Sequence, residues 1–228
     1  MRLTLLFFVL FITIVSCSPE YIPNMVNTPL FTEKGEFQAT VASGSSNLDV
    51  QTAFAVTDHM GVMVNGSYGS EKTNDSDDFH KHIFLEGGLG YYDKIGNRGR
   101  YEVYGGYGFG KVEGFFENTL DISQKTDAKY NRFFIQPDIG FVSKVLDGNF
   151  ASRLVLVQLT PQGEGYSSAK YNFFLEPVLT SRIGFPYAKF VMQVGLSLPI
   201  GSQTLNFNYQ SFIFNLGLNI NLGRKPFD

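Results

Sequence analysis

From His80 to Gly110 the chain alternates apolar with polar or small residues at a period of two, on both sides of a short polar turn. Ile83, Leu85, Gly87, Leu89 and Tyr91 share one parity, and Tyr101, Val103, Gly105, Tyr107 and Phe109 resume it beyond Lys94 to Arg98. Successive side chains of a strand point to opposite faces, so the stretch reads as a long antiparallel hairpin with one apolar face. Strands of about ten residues exceed the usual five or six of soluble sheets and suit the roughly 9–11 tilted residues that cross a bilayer. Such a face is buried economically only if the unit repeats and the sheet closes.

The unit does repeat. The period-two rule gives about ten candidate strands, near 35–43, 48–56, 60–69, 80–92, 99–110, 130–142, 150–159, 171–183, 187–198 and 207–222. Connections after the even-numbered strands are tight: Thr57 to His59, Asp93 to Arg98, Ser143 to Asn149 with Asp147-Gly148-Asn149, and Gly184 to Pro186. Those after the third, fifth and seventh are long and polar (70–79, 111–129 and 160–170), and the shorter ones at 44–47 and 199–206 fall at the same end. Short turns at one end and long loops at the other are a signature of outer-membrane barrels, with the short turns in the periplasm. A weak repeat, Phe84-Leu85-Glu86-Gly87, Phe134-Ile135-Gln136-Pro137 and Phe174-Leu175-Glu176-Pro177, recurs on alternate strands. Proline removes a ladder donor, so Pro137 and Pro177 each predict a bulge or a missing hydrogen bond.

One parity collects residues such as Phe37, Val50, Val64, Leu89, Ile135, Leu154, Leu179, Val194 and Leu218; the other collects Gln38, Asp49, Gln51, Asn65, Gln136, Asn172, Gln193, Asn215 and Asn219. Either polarity, apolar face in or out, satisfies the alternation. Three features favour apolar-out: the apolar side is large for a chain with no alternative core; Glu86, Glu102, Asp138 and Glu176 share the polar parity with Arg132, Arg153 and Arg182 near strand middles; and Tyr68, Tyr91, Tyr92, Tyr101, Phe109, Tyr130, Tyr171, Tyr187 and Tyr209 fall near strand ends, where interfacial girdles sit. The expected fold is all-β, a closed antiparallel up-and-down transmembrane β-barrel over residues 35–223, followed by a short C-terminal tail at 224–228. Ten strands enclose little more than their own side chains, so the seven charged residues are expected to fill the lumen with salt bridges and leave no large-solute channel.

Residues 1–16 read as a lipoprotein signal peptide. Arg2 supplies the basic n-region and Leu3 to Val15 an apolar run too short to span a membrane. Ile14-Val15-Ser16-Cys17 resembles a lipobox, and Cys17 is the only cysteine, so an intramolecular disulfide is excluded and lipidation of Cys17 is expected. Residues 17–34, with three prolines and little alternation, read as an N-terminal tether. An even strand count brings both ends of the barrel to the periplasmic side, where the lipid would hold the N-terminus in the inner leaflet. The formal net charge is −3, and one unit more acidic without Arg2, which argues against nucleic-acid binding.

The pattern resembles the small outer-membrane β-barrel proteins of Bacteroidota-type bacteria, some of which carry a lipobox. The resemblance rests on Val56-Thr57-Asp58-His59-Met60-Gly61-Val62-Met63 and on the strands Phe133-Phe134-Ile135-Gln136-Pro137 and Phe173-Phe174-Leu175-Glu176-Pro177. It implies a bacterial outer-membrane location more than an activity, because the family is functionally heterogeneous. The C-terminus departs from the common barrel-assembly signal, ending in Asp228 where an aromatic is usual.

Candidate chemistry is sparse. His80, His82 and Glu86 share a face near a loop end with Ser67 on the neighbouring strand, a set that resembles lipid A deacylases in type but lacks their local sequence pattern. His80 and His82 are also weak metal-ligand candidates, with Asp77 or Asp78, although the loop lacks the oxygen spacing of a calcium site. The glycine runs at 87–90 and 105–110 lie inside strands with no following helix, so they serve curvature and packing and not phosphate. No enzyme activity, cofactor or metal is expected. The expected role is structural or accessory, through loops that meet outer-membrane lipid and other envelope proteins. A small passive pore, a rim enzyme of lipid A deacylase type, and a soluble periplasmic lipoprotein barrel with an apolar ligand inside are the alternatives.

Overall fold

The computed structural model describes residues 19–72, 78–117, 123–162, 168–201 and 207–224; the leader and Cys17 lie outside them. The strands are β1 (Phe37–Gly44), β2 (Asn47–Ala55), β3 (Met60–Lys72), β4 (Phe79–Ile95), β5 (Gly99–Glu117), β6 (Ser123–Phe141), β7 (Leu146–Pro161), β8 (Lys170–Phe185), β9 (Ala188–Leu196), β10 (Leu198–Ile200) and β11 (Phe212–Leu222). Each strand from β2 to β9 pairs antiparallel with its predecessor, and β11 pairs with both β9 and β1. The seam runs from Phe37↔Leu222 to Gly44↔Asn215, so no edge is left open. β10 continues β9 past Ser197 in the same register: Gly195 faces Val178 and Leu198 faces Leu175 on β8. The all-β, closed, ten-strand antiparallel barrel expected from the alternation is therefore the observed fold, with β10 as a short extra strand.

Both prolines interrupt a ladder without shifting it. β6 and β7 pair up to Ile135↔Leu154 and again from Asp138↔Ala151, so Pro137 leaves a gap and no inserted residue. Pro177 stays paired with Ser152 on β7 and leaves its gap on the other side, where β9 gives way to β10. A proline has no N–H to give, and the conserved register means that the bulge alternative is not taken.

The barrel is apolar outside. Val41, Val64, Leu89, Ile135, Leu179 and Leu218 are each half exposed or more, while the opposite parity is buried except at a few half-buried positions, most of them glycine. Tyr68, Tyr91, Tyr101, Phe109, Tyr171 and Tyr187 face outward, as expected of a girdle. Tyr92, Tyr130 and Tyr209 do not. Tyr92 and Tyr130 share the parity of Glu86 and Arg132 and point inward, where Tyr92 donates to the Thr57 carbonyl at 2.5 Å and Tyr130 stacks on Phe84; Tyr209 packs on the core, its ring centre 5.2 Å from that of Phe174.

Two connections differ from the expected ones. β5 and β6 each run for 19 residues, so most of the segment 111–129 is strand and not loop: Lys111 to Phe115 still pair with β4, and Ser123 to Asp127 reach beyond β7. Lys111 pairs there with Glu113 and Asp127 on the outward face, while Val112, Thr126 and Ala128 on the other face are buried; the charged outward face is why the composition reads as loop. At about 3.3 Å per residue each of these strands is roughly 60 Å long. Asp147-Gly148-Asn149 lies within β7, not in the turn, because Asp147 and Asn149 are inward side chains bonded to Lys189 and Asp138.

The inward glycines of β4 and β5 have a packing reason. A Cβ on Gly108 would lie 2.4 Å from the Phe84 ring, and one on Gly106 2.5 Å from Phe134. Gly108→Val is expected to cost about 1–3 kcal/mol, the usual range for overpacking, and so to lower the temperature at which the folded, unboiled band is lost on a gel. Gly87 faces outward, its nearest neighbour 3.7 Å away. Equal melting of Gly108→Val and Gly87→Val would refute a packed floor.

Candidate functional site

The interior is the site, and the chain's own N-terminal segment occupies it. Residues 19–34, expected as a tether, run down the lumen from the long-loop end to the short-turn end. Tyr21, Met25, Val26, Leu30 and Phe31 are buried to 1 % exposure or less. The segment forms no sheet beyond one bridge, Tyr21↔Tyr209, so its amides and carbonyls must find partners among side chains. They do, almost residue by residue. Asp49 accepts from the Met25 N–H at 3.3 Å and Gln51 donates to the Met25 carbonyl at 2.7 Å. Gln193 serves both backbone groups of Val26, at 2.8 and 2.9 Å. Gln136 donates to Asn27, Arg182 to Thr28 and Gln38 to Pro29. Glu102 accepts from Leu30 and Phe31 N–H at 3.0 and 2.8 Å. Leu30 adopts a φ of 55°, a left-handed conformation that side chains seldom take; two successive amides thereby meet one carboxylate, as in an anion-binding nest.

Where the segment passes the middle of the barrel, four strand charges surround it. Arg132 pairs with Glu86, and Arg153 with Glu176 at 2.7 Å and with Glu86 at 3.5 Å. All four side chains are at most 1 % exposed. The group is charge-neutral. The segment completes it: Tyr21 donates to Glu176 at 2.8 Å, Asn24 donates to Glu86 at 3.1 Å, and the Asn24 Oδ1 accepts from Arg132 at 2.6 Å. Asn65 adds a fourth donor to Glu86, and the Arg132 guanidinium lies 4.2 Å from the Phe84 ring centre.

All seven residues expected in the lumen network are buried inside, but they do not form one salt-bridged array. Glu86, Arg132, Arg153 and Glu176 form the quartet; Glu102 and Arg182 bind the N-terminal segment; Asp138 accepts from Gln136 and Asn149 at 3.2 and 3.0 Å.

A second cluster at the short-turn end is less legible in sequence. Glu36 accepts from Thr32 and Glu33 N–H and from the Arg224 Nε at 3.0 Å. Asp147 accepts from Lys189 at 2.6 Å and from Arg224 at 3.3 Å, and Arg224 also donates to the Leu30 carbonyl at 2.9 Å. Arg224, expected to begin a tail, instead folds back into the mouth. The alternation carries no signal for it: Arg224 shares the outward parity of Leu222 and turns inward past Gly223, whose φ is 89°. The long-loop end is closed by rings: Phe174 lies 4.9 Å from Tyr21 and 5.2 Å from Tyr209.

The Ser67 hydroxyl is 3.4 Å from His82 Nε2, which also contacts the Ser46 carbonyl at 3.2 Å. Asp49 bonds Ser46 and the Met25 amide, and the His82 Nδ1 carries no carboxylate. Ser67 and His82 are both nearly inaccessible, at 5 % and 2 %. Glu86, the third member of the expected rim set, belongs to the quartet. His80 and His82 lie with ring centres 5.6 Å apart, and among the described residues no group of three or more His, Cys, Asp or Glu is placed to hold a metal ion. Asp77 falls outside the described residues. No protein-family model matches the chain, and no curated protein matches it.

Proposed function

We propose that this protein is a bacterial outer-membrane β-barrel, anchored additionally by a lipid on Cys17, that works as a closed structural or accessory subunit and meets lipid and other envelope proteins through its long-loop end. One observation carries the reading: the polarity is inverted, with large apolar side chains around the whole outer wall and charged and amide side chains in the lumen. Water would leave that outer face at a high cost in apolar exposure, about 25 cal/mol per Å², whereas hydrocarbon does not. The sealed interior supports a closed barrel over a passive pore. It also speaks against a soluble barrel holding an apolar ligand, since the inward side chains, polar and apolar, pack against one another and against residues 19–34. A rim hydrolase needs an accessible nucleophile with an oriented base, which the buried Ser67–His82 pair does not offer.

The test is a gel of the membrane fraction, boiled and unboiled, with Cys17→Ala alongside. A faster-migrating unboiled band that stays with the outer membrane in Cys17→Ala is the expected result. A mutant released as a soluble periplasmic protein would sink the reading.

A further inference from the structure

The N-terminal segment has a direction, and it bears on where its anchor lies. β1 begins at the short-turn end, where the Gly35 N–H donates to the Ala55 carbonyl at 2.9 Å and the Lys34 N–H to Asp58 at 3.1 Å. Fifteen residues earlier the chain is at the opposite mouth. Glu20 and Tyr21 N–H both donate to the Asn208 carbonyl, at 2.9 and 3.1 Å, and the Gln210 N–H donates to the Tyr21 carbonyl at 2.9 Å. The Asn208 N–H closes the set on the Glu20 carboxylate at 3.1 Å. Asn208 to Gln210 belong to the connection between β10 and β11, on the long-loop side. The expectation that an even strand count keeps the N-terminus at the short turns holds for Gly35 and fails for Glu20, because the intervening residues cross the barrel.

Cys17 is three residues from Glu20, a reach of at most about 11 Å. The hydrocarbon core of a bilayer is about 30 Å thick. A lipid on Cys17 therefore cannot reach the leaflet at the short-turn end while Glu20 stays pinned to Asn208. We infer that the Cys17 acyl anchor inserts in the leaflet at the long-loop end, which with the long loops outside is the cell-surface leaflet. This rests on the outer-membrane, lipidated reading above. The seam between β1 and β11 is fully paired and residues 19–34 occupy the lumen, so acyl chains do not thread a finished barrel; they cross with the long loops as the barrel closes around the segment. The surface lipid then serves as a second hydrophobic contact at the outer rim.

Three cysteine variants test the placement with a membrane-impermeant maleimide on intact cells: Ser18→Cys beside the anchor, Ser168→Cys on a long loop and Asn97→Cys in a short turn. Acylated Cys17 is a thioether and stays silent, and mass spectrometry of the N-terminal peptide reports its acylation. The expected result is labelling of Ser18→Cys and Ser168→Cys before lysis, and of Asn97→Cys only after it. Ser18→Cys labelling only after lysis, with Ser168→Cys labelled before, overturns the inference while the outer-membrane reading stands. Asn97→Cys labelled before lysis and Ser168→Cys only after overturns the orientation, and the surface placement with it. An unacylated Cys17 overturns the lipid anchor and its surface placement, while the barrel and its orientation stand.

Discussion

A chain lacking residues 19–34 conducts small ions, whereas the full chain does not. The deletion removes every backbone group that Glu102, Arg182, Gln38, Gln51, Gln136 and Gln193 bind in the lumen. Those side chains then need water, since an unsatisfied buried polar group costs about 1–3 kcal/mol. The quartet of Glu86, Arg132, Arg153 and Glu176 still crosses the middle, and a ten-strand wall is little wider than one filled by its own side chains. Discrete but small conductance steps in planar bilayers are the expected record, with no passage of oligosaccharides. A barrel that fails to close around an empty lumen would leave the point open, so the same state is reached by cutting a protease site placed between Lys34 and Gly35, both exposed, after folding. Silent membranes from the cut and urea-washed barrel would show that side chains alone seal it.

Arg153→Ala is expected to destabilise the folded barrel by about 3–5 kcal/mol, the range for removing one partner of a buried ion pair. It leaves Glu176 with only the Tyr21 and Ser197 hydroxyls as partners and unbalances the charge beside Glu86. The double change Arg153→Met with Glu176→Leu removes both charges of the pair, and such replacements are often close to neutral. Here it should recover much of the loss, short of the two hydroxyls deprived of their acceptor. Urea titrations of the unboiled band measure all three, with exposed Lys129→Ala as the reference. Arg153→Ala matching Lys129→Ala would mean that the lumen charges are hydrated and the interior is not packed.

The parity of each strand was legible because a half-buried strand writes its two faces into alternate residues. Glu86, Arg132, Arg153 and Glu176 could thus be assigned to one side before any coordinates. Their roles could not. Register decides that Arg132 meets Glu86 while Glu102 faces Asp138 across β5 and β6, and register follows from the closure of the whole sheet. Strand ends were misjudged where polarity and strand coexist: the far ends of β5 and β6 carry their charges on the outward face, where an apolar one was looked for, and Asp147-Gly148-Asn149 has turn composition but lumen partners.

Residues 19–34 were the hardest to place. A segment with three prolines and no periodicity has the local composition of a tether, and nothing in it records that Gln, Asp, Glu and Arg side chains from seven strands converge on its backbone. Alternation and the rhythm of the connections, both local properties of the chain, determined an all-β barrel of ten strands and which residues share a face. Which face is inside, and that the chain's own N-terminal segment fills it, were decided only by the closed tertiary structure. The reason is physical: two-sided alternation is symmetric with respect to inside and outside, and an extended segment is stabilised in the lumen only by partners that closure brings together from across the sequence.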